Sequence, residues 1–379
     1  MVVARSIKTK IIKKEDNLVD VVVNSVLEDM KENNYSLNDK DVIGLTESIV
    51  SITNNNFCHI NDIVVDLNEK FKEDDIGVVF PILSRNRFSV ILKAIARAKK
   101  DVTILLSYPS DEVGNAILDE DILNNLKLEK DFFLEDFYYK HFKNFIHPWT
   151  KINMVDYYKK IVNNEGSSVR FIFSNNPLNI LKYTKNILIS DIHTRFKTYD
   201  KFKNSDVTIF KLDELLNKSI NGSGYNTKYG LLGSNLATKD SLKLFPNENN
   251  NLLESIQNEF FKQTNKKIEV FIYGDGAFKD PVSKIWELAD PVVSPSYTKG
   301  LIGSPNEVKL KYLAENEFKH LKGEELELAI KNYKDKTNLD SSLGTTPRRY
   351  IDLLGSLADL MSGSGDRSTP VVLIQNYFR

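Results

Sequence analysis

The chain has 379 residues, room for two compact units or for one large unit carrying an insertion. Lysine and arginine (51) nearly cancel aspartate and glutamate (52), so no global field draws in nucleic acid or an anionic membrane, and any anion must be bound by local geometry. Apolar residues at 41% and charged residues at 27% are the balance of a folded soluble protein, and the single cysteine, Cys58, excludes an intrachain disulfide and a several-thiolate zinc site and points to the reducing cytoplasm.

In chain order, the basic start MVVARSIKTKIIKK leads into no long apolar core and no small-residue cleavage site, so it reads as part of the fold rather than as a signal peptide. Nowhere does an apolar run approach the ~20 residues that a membrane helix requires. A short β-type run around Ile7 to Ile12 precedes an amphipathic helix from Leu18 to Met30. Another apolar stretch covers Asp41 to Val50, and Ile60 to Phe71 reads as a helix capped by Asn61. Gly77 to Leu83 and Val102 to Ser107 suit buried strands, with a helical segment from Val90 to Lys99 between them.

From about Ala116 to Asn221 the texture changes to charged and aromatic residues with Asn-rich breaks. Residues 116–221 are therefore expected to form an insertion or second subdomain within a core built from 1–115 and 222–379. A helix from Met154 to Asn164 and strands at Val169 to Phe173 and Ile187 to Asp191 are expected inside it. Beyond Gly222 the pattern predicts a helix at Leu253 to Gln263, a strand at Ile268 to Tyr273 and helices at Asn306 to Phe318 and Glu325 to Tyr333. The sum is an α+β fold of mixed α/β character, with twisted mixed sheets and flanking helices.

The segment EVFIYGDGAFKDP, Glu269 to Pro281, runs an apolar strand straight into Gly274-Asp275-Gly276. An acid at a strand end between glycines can hold a divalent cation beside a nucleotide phosphate, and Gly276 lets phosphate oxygens approach the backbone. Lys279 could then neutralise phosphate charge, with Asp280 and Glu287 as further metal ligands. The alternative is a hairpin turn in which Asp275 only caps a loop, and spacing does not choose between them.

Two further clusters carry polar donors. GSGYNTKYGLLGSN, Gly222 to Asn235, holds four glycines in fourteen positions and could wrap an anion with Gly224, Asn226, Ser234 and Asn235, although it lacks the order of a P-loop and also reads as a long surface turn. In GTTPRRYIDLLGSLADLMSGSGDRSTP, Gly344 to Pro370, Pro347 marks a helix start with Arg348 and Arg349 in its first turn, after Thr345 and Thr346. Two cations at a helix N-terminus are unfavourable unless an anion joins them, which argues for phosphate or carboxylate there, the alternative being solvated arginines on an exposed turn. Arg85 and Arg87, Asp111 and Glu112, and Asp191, His193 and Arg195 each follow a strand-like run, where α/β sites are lined, although each alone is more often a structural ion pair than a ligand.

The succession KTKIIKKEDNLVDVVVNSV, DVIGLTESIVSI, YGLLGSN followed by LKLFP, and IEVFIYGDGAFKDP resembles that of the coenzyme F420-0:L-glutamate ligases. Those enzymes place a Val-Ser pair, a Gly-Ile-Asp-x-Ser-Asn loop before a Leu-Pro strand, and a strand ending in Ser-Asp-Thr in the same order. The resemblance covers about Ile7 to Ser51 and Lys228 to Pro281. It implies a GTP-dependent (or ATP-dependent) enzyme requiring magnesium or manganese, working as a homodimer, that joins L-glutamate to a small-molecule acceptor through an acyl phosphate. It puts Asp275 at the family's metal-binding aspartate, Gly276 at its threonine, and Ser234 and Asn235 at its Ser-Asn pair, and the same reading assigns Asp275, Lys279 and Arg348 to catalysis.

Leu232 stands where the family has its second metal-binding aspartate, and Ser51 is followed by Ile52, Thr53 and Asn54 instead of the Lys-x-Glu-Gly of the family pattern. Metal ligation must then be completed from elsewhere. A folate-type acceptor receiving a polyglutamate tail, or a non-catalytic nucleotide-binding relative, are the alternatives this leaves open.

Overall fold

Val42 to Leu45, Val270 to Tyr273 and Val371 to Ile374 are buried on both sides of their strands, and such runs need helices on both faces of a sheet. The computed structural model, which describes residues 1–126, 128, 131–147, 151–275, 292–305, 308–336, 348–362 and 368–378, provides them. With elements numbered along the chain, a five-stranded sheet takes β1 (Val3–Ile7), β2 (Val42–Thr46), β12 (Glu269–Asp275), β13 (Val292–Val293) and β14 (Val371–Gln375) in the order β1-β14-β2-β12-β13. β2 and β12 run parallel, and the other neighbours are antiparallel.

Successive residues of a strand face opposite sides. Ile43, Leu45, Val270 and Ile272 therefore meet Val22 and Val26 of α1 (Leu18–Glu32) and Ile256 and Phe260 of α9 (Asn250–Thr264). On the other face Phe271, Tyr273, Val372 and Ile374 meet Ile351, Leu354 and Ala358 of α12 (Tyr350–Met361). Each such side chain contributes ~1.5–3 kcal/mol on burial, which ties the C-terminal helix and strand to elements from the start of the chain.

A six-stranded sheet takes β4 (Asp75–Val79), β5 (Asp101–Leu106), β6 (Phe133–Leu134), β7 (Ser168–Phe173), β8 (Asn186–Ile189) and β9 (Thr208–Lys211) in the order β6-β7-β5-β4-β8-β9. All its pairs are parallel except β6 with β7. One face packs on α3 (Ile60–Lys70), α4 (Phe88–Ala98) and α7 (Met154–Asn164). The other packs on Ile180 and on Phe202, which follows α8 (Arg195–Lys201). The chain builds outward from β4 through β5 to β7, then returns to β4's other side for β8 and β9, so the strand order reverses between β4 and β8. This sheet draws strands from both sides of residue 116.

A small antiparallel sheet, β10 (Asn235–Thr238), β11 (Ser241–Lys243) and β3 (Phe57–His59), sits between the two in sequence. The remaining helices are α2 (Glu47–Thr53), α5 (Glu120–Leu126), α6 (Glu135–Phe142), α10 (Leu310–Tyr312) and α11 (Gly323–Lys336). The architecture is α+β with mixed sheets, as the sequence predicts. Among the described residues, no helix is long and apolar enough to cross a membrane.

Several local expectations shift. The first strand is Val3–Ile7, not Ile7 to Ile12, and Asp41 to Val50 divides into β2 and the start of α2. Helix α3 is capped by His59, whose Nδ1 accepts from Asn61 N–H while Asp62 takes the His59 N–H, so the reciprocal cap lies two residues before the predicted Asn61. Arg348 and Arg349 precede α12 instead of forming its first turn: Arg349 is the N-cap. Pro347 lies outside the described residues.

Candidate functional site

β2 and β12 are parallel neighbours in register, Leu45 opposite Ile272 and Thr46 opposite Tyr273, so their carboxyl ends open side by side. There the chain leaves β2 through Glu47 and leaves β12 through Gly274 and Asp275. Glu47 is 8% exposed, occupies the first turn of α2 where an acid suits the helix dipole, and pairs through Oε1 with Lys243 Nζ at 2.9 Å. A Cβ on Gly274 would fall 2.2 Å from Glu47 Cγ and 2.9 Å from Phe245 Cε2, so only glycine fits over this acid. Gly233, at φ 70°, meets the same ring edge, its would-be Cβ 3.1 Å from Phe245 Cδ2. One aromatic ring thus joins the Gly233-Ser234-Asn235 turn to the Gly274-Asp275 turn.

A pocket of about 470 Å³ opens at these strand ends, walled by Thr46, Glu47, Tyr273 and Gly274, by the Thr9 to Ile12 turn, and by Asp359 and Ser362 at the end of α12. The Thr9 turn is pinned by its N–H to Ser368 O at 2.9 Å, and Thr46 N–H donates to Pro370 O at 3.0 Å. Burial pushes up the Tyr273 phenol, which lies beside Ser362 and Asp359. Lys10, the cation of the wall, is paired with Asp16 at 2.5 Å.

Hydrogen bonds within the fold hold most of the glycine-rich loop. Asn226 is 2% exposed; its amide donates to Phe245 O and Pro246 O at 3.0 Å each, and its oxygen accepts from Lys228 N at 2.9 Å and Tyr229 N at 2.7 Å. All four positions of that side chain are engaged, so Asn226 closes the loop and has no group left for a ligand, a correction to its expected role. Gly224 N–H donates to Phe57 O at 2.7 Å and packs on Asn56, which again is framework. Ser234 donates its hydroxyl to Leu231 O at 2.7 Å, and Asn235 opens β10. Leu236 N–H donates to Asn86 O at 2.8 Å, so the turn carrying Arg85 and Arg87 lies against Asn235. Leu232 is 3% exposed and packs in the core, as expected for an apolar residue where the family has an acid.

The C-terminal arginines are not brought to this pocket. Asp359 and Ser362 mark the pocket end of α12, and a twelve-residue helix rises about 18 Å, so Arg348 and Arg349 start a helix length away. The anion their position calls for is, for Arg349, Asp352 of the same turn, forked at 2.9 and 2.7 Å. Asp275 is described by its backbone, paired with Val292. Gly276, Lys279, Asp280, Glu287, Thr345 and Thr346 lie outside the described residues. Among the described residues, no group of three or more His, Cys, Asp or Glu could hold a metal ion.

The model of the F420-0:Gamma-glutamyl ligase family matches residues 6–376, nearly the whole chain. The chain belongs to that family. It is thereby a gamma-glutamyl ligase of the F420 type, and the match includes the six-stranded sheet as well as the pocket. No curated protein sequence matches it.

A second polar cluster of this F420-type ligase lies at the carboxyl ends of β5 and β8. Asp111 accepts from Leu83 N at 2.9 Å and from Asn115 N at 2.8 Å, and its neighbour Glu112 reaches the Asp191 to Arg195 segment. Burial raises both Asp111 and Asp191 above the usual carboxylate range, and it pushes Glu112 up to about 7 against the lowering effect of the peptide N–H groups it accepts from. Glu47 and Asp359 in the pocket wall, and Lys243 and Phe245 behind it, are residues that sequence reasoning missed. Glu47 had one usable signal, an acid directly after the apolar run VIGLT.

Proposed function

We propose that this ligase uses GTP or ATP, with magnesium or manganese, to join the amine of L-glutamate to a carboxylate of a small acceptor. The observation that carries the reading is the meeting of Gly274, which lies over Glu47, and Gly233 on the Phe245 ring. The acceptor carboxylate takes the γ-phosphoryl group as the nucleoside diphosphate leaves, the amine attacks the resulting acyl phosphate, and phosphate departs while the amine loses a proton. Asp275 would hold the cation, with Glu47, Asp280 and Glu287 as the candidates to complete its oxygen ligands. Magnesium takes one or two carboxylates beside substrate phosphates and water. When bound, the cation supplies charge neutralisation at the phosphates. Lys279, Arg85 and Arg87 would offset the remaining phosphate charge, Ser234 and Asn235 would orient the nucleotide, and Glu47, held by Lys243, would orient Asp275.

The acceptor is F420-0, with a folate-type acceptor as the second candidate because the same chemistry serves both. Purified protein given each acceptor, L-glutamate, nucleotide and manganese should yield product heavier by one glutamyl unit. Nucleotide binding without phosphate release on any acceptor would instead make the chain a non-catalytic relative. A homodimer is supported by apolar side chains left exposed, Leu310, Tyr312 and Leu328 on α10 and α11 and Leu360 on α12. Light scattering would test it. The buried thiol of Cys58 agrees with a cytoplasmic setting.

A further inference from the structure

A polar cluster with no part in the proposed ligase chemistry lies at the reversal point of the six-stranded sheet. There the loop after β5 crosses to the segment after β8 and lays Glu112 on three consecutive peptide N–H groups: Ile192 donates at 2.5 Å, His193 at 3.1 Å and Thr194 at 3.2 Å. The Thr194 hydroxyl lies 3.2 Å from the same carboxylate. Successive N–H groups converging on one carboxylate form an anion nest. The crevice beyond the carboxyl ends of strands, where their order reverses, is where α/β sheets take ligands. Here a side chain of the protein fills it.

Beneath the nest lies a second, complementary group. The Thr194 hydroxyl is also 2.5 Å from Asp191 Oδ2, which accepts from the Thr198 hydroxyl at 2.8 Å. Asp191 is 0% exposed, and its other oxygen, Oδ1, has no hydrogen-bond partner among the described residues. A threonine hydroxyl has one proton and cannot donate to two carboxylates. Arg195 does not fill the gap, because its Nη1 donates to Ile192 O and its Nε faces Asp213 at 3.4 Å. A buried carboxylate oxygen without a donor, one hydroxyl away from an anion nest, matches a ligand that carries a carboxylate and a cationic N–H donor on one carbon.

We infer that residues 191–194 form a site for the main-chain end of a free α-amino acid, whose carboxylate replaces Glu112 in the nest while its ammonium meets Asp191 Oδ1. Glu112, itself a carboxylate on a short chain, is the resident substitute, and the 108–115 loop must swing away for the exchange. Phosphate suits the nest but meets repulsion from Asp191. The choice of L-glutamate as the occupant rests on the ligase reading; the recognition of paired carboxylate and ammonium does not.

Hydrogen exchange of the full chain, followed by mass spectrometry without nucleotide, tests this with glycine, L-glutamate, acetate and inorganic phosphate. With either amino acid, amides 192–194 should remain protected while the 108–115 loop exchanges at least ~10-fold faster. Glu112→Ala should bind glycine at least ~10-fold tighter because the internal competitor is gone, and Asp191→Asn added to it should abolish the preference for glycine over acetate. Unchanged exchange in both segments at saturating glycine and glutamate in the wild-type protein would overturn the site. So would a response to acetate or phosphate equal to that to glycine. A response to glycine and none to glutamate would keep the site and detach it from the ligase reaction, and no readout here depends on ligase turnover.

Discussion

Gly274 lies against Glu47 so closely that a methyl group on it would sit 2.2 Å from Glu47 Cγ. The contact follows from parallel pairing: β2 and β12 end together, so the residue that closes one strand lies over the residue that follows the other. A glycine turn and a buried, lysine-paired acid then form one rigid rim of the pocket.

Gly274→Ala is expected to destabilise the fold by ~1–3 kcal/mol, the usual range for overpacking, and to remove ligase turnover by displacing Asp275. Urea unfolding and product formation measure the two effects. Wild-type values for both would show that the turn relaxes without consequence.

Glu47 and Lys243 are 10% and 12% exposed at their side chains, so removing one partner strands a largely buried charge. Glu47→Gln and Lys243→Met should each cost up to ~3–5 kcal/mol, and the double variant less than their sum. A strictly additive double-mutant cycle would mean that the pair is screened.

Phe245→Ala removes the ring that Gly233 and Gly274 share and should cost ~3–5 kcal/mol. Phe245→Leu, which retains part of the volume, should recover stability more than activity. Equal recovery of both would make the ring a filler without a positioning role.

Asp275→Asn should abolish turnover while circular dichroism and the melting temperature stay near wild type. Turnover above a tenth of wild type, with manganese present, would withdraw Asp275 from the metal.

Glu112 is pushed up to about 7 by burial, and Asp111 and Asp191 beside it are raised in the same direction. A carboxyl raised on folding contributes stability that is complete below its unfolded pKa and is lost as pH rises through the folded value, at about 1.4 kcal/mol per unit. For Glu112 that window runs from its ordinary 4.5 to about 7. Unfolding free energy should fall across it, and Glu112→Gln should flatten the fall. Arg195, Asp213 and His193 border the same cluster, so an unchanged slope in Glu112→Gln would assign the titration to Asp111 or Asp191.

Much of the framework was legible from local pattern. Helix α7 runs Met154–Asn164, where apolar spacing puts it, and the ends of β5, β7 and β12 lie within two residues of their predicted positions. Boundaries failed where side chains compete for backbone groups. His59 and Asp62 capped α3 in place of Asn61, and Asp352 gave Arg349 an anion within its own turn. Among the candidate site residues, Asp275 and Ser234-Asn235 stood out because glycine turns after apolar runs are a local signal. Asn226 was visible for the same reason, but its amide is consumed by carbonyls nineteen and twenty residues away.

Charge balance, the lone cysteine and the two periods of apolar spacing belong to the chain read locally, and they determined an α+β protein with no membrane-spanning run and a glycine-flanked acid at a strand end. Only the tertiary structure decided which polar groups meet. Glu47 and Lys243 are 196 positions apart, and Glu112 reaches the Ile192 N–H across 80. Pairings over such separations depend on strand order and on which buried groups must find partners, and neither property can be read within a single segment of sequence.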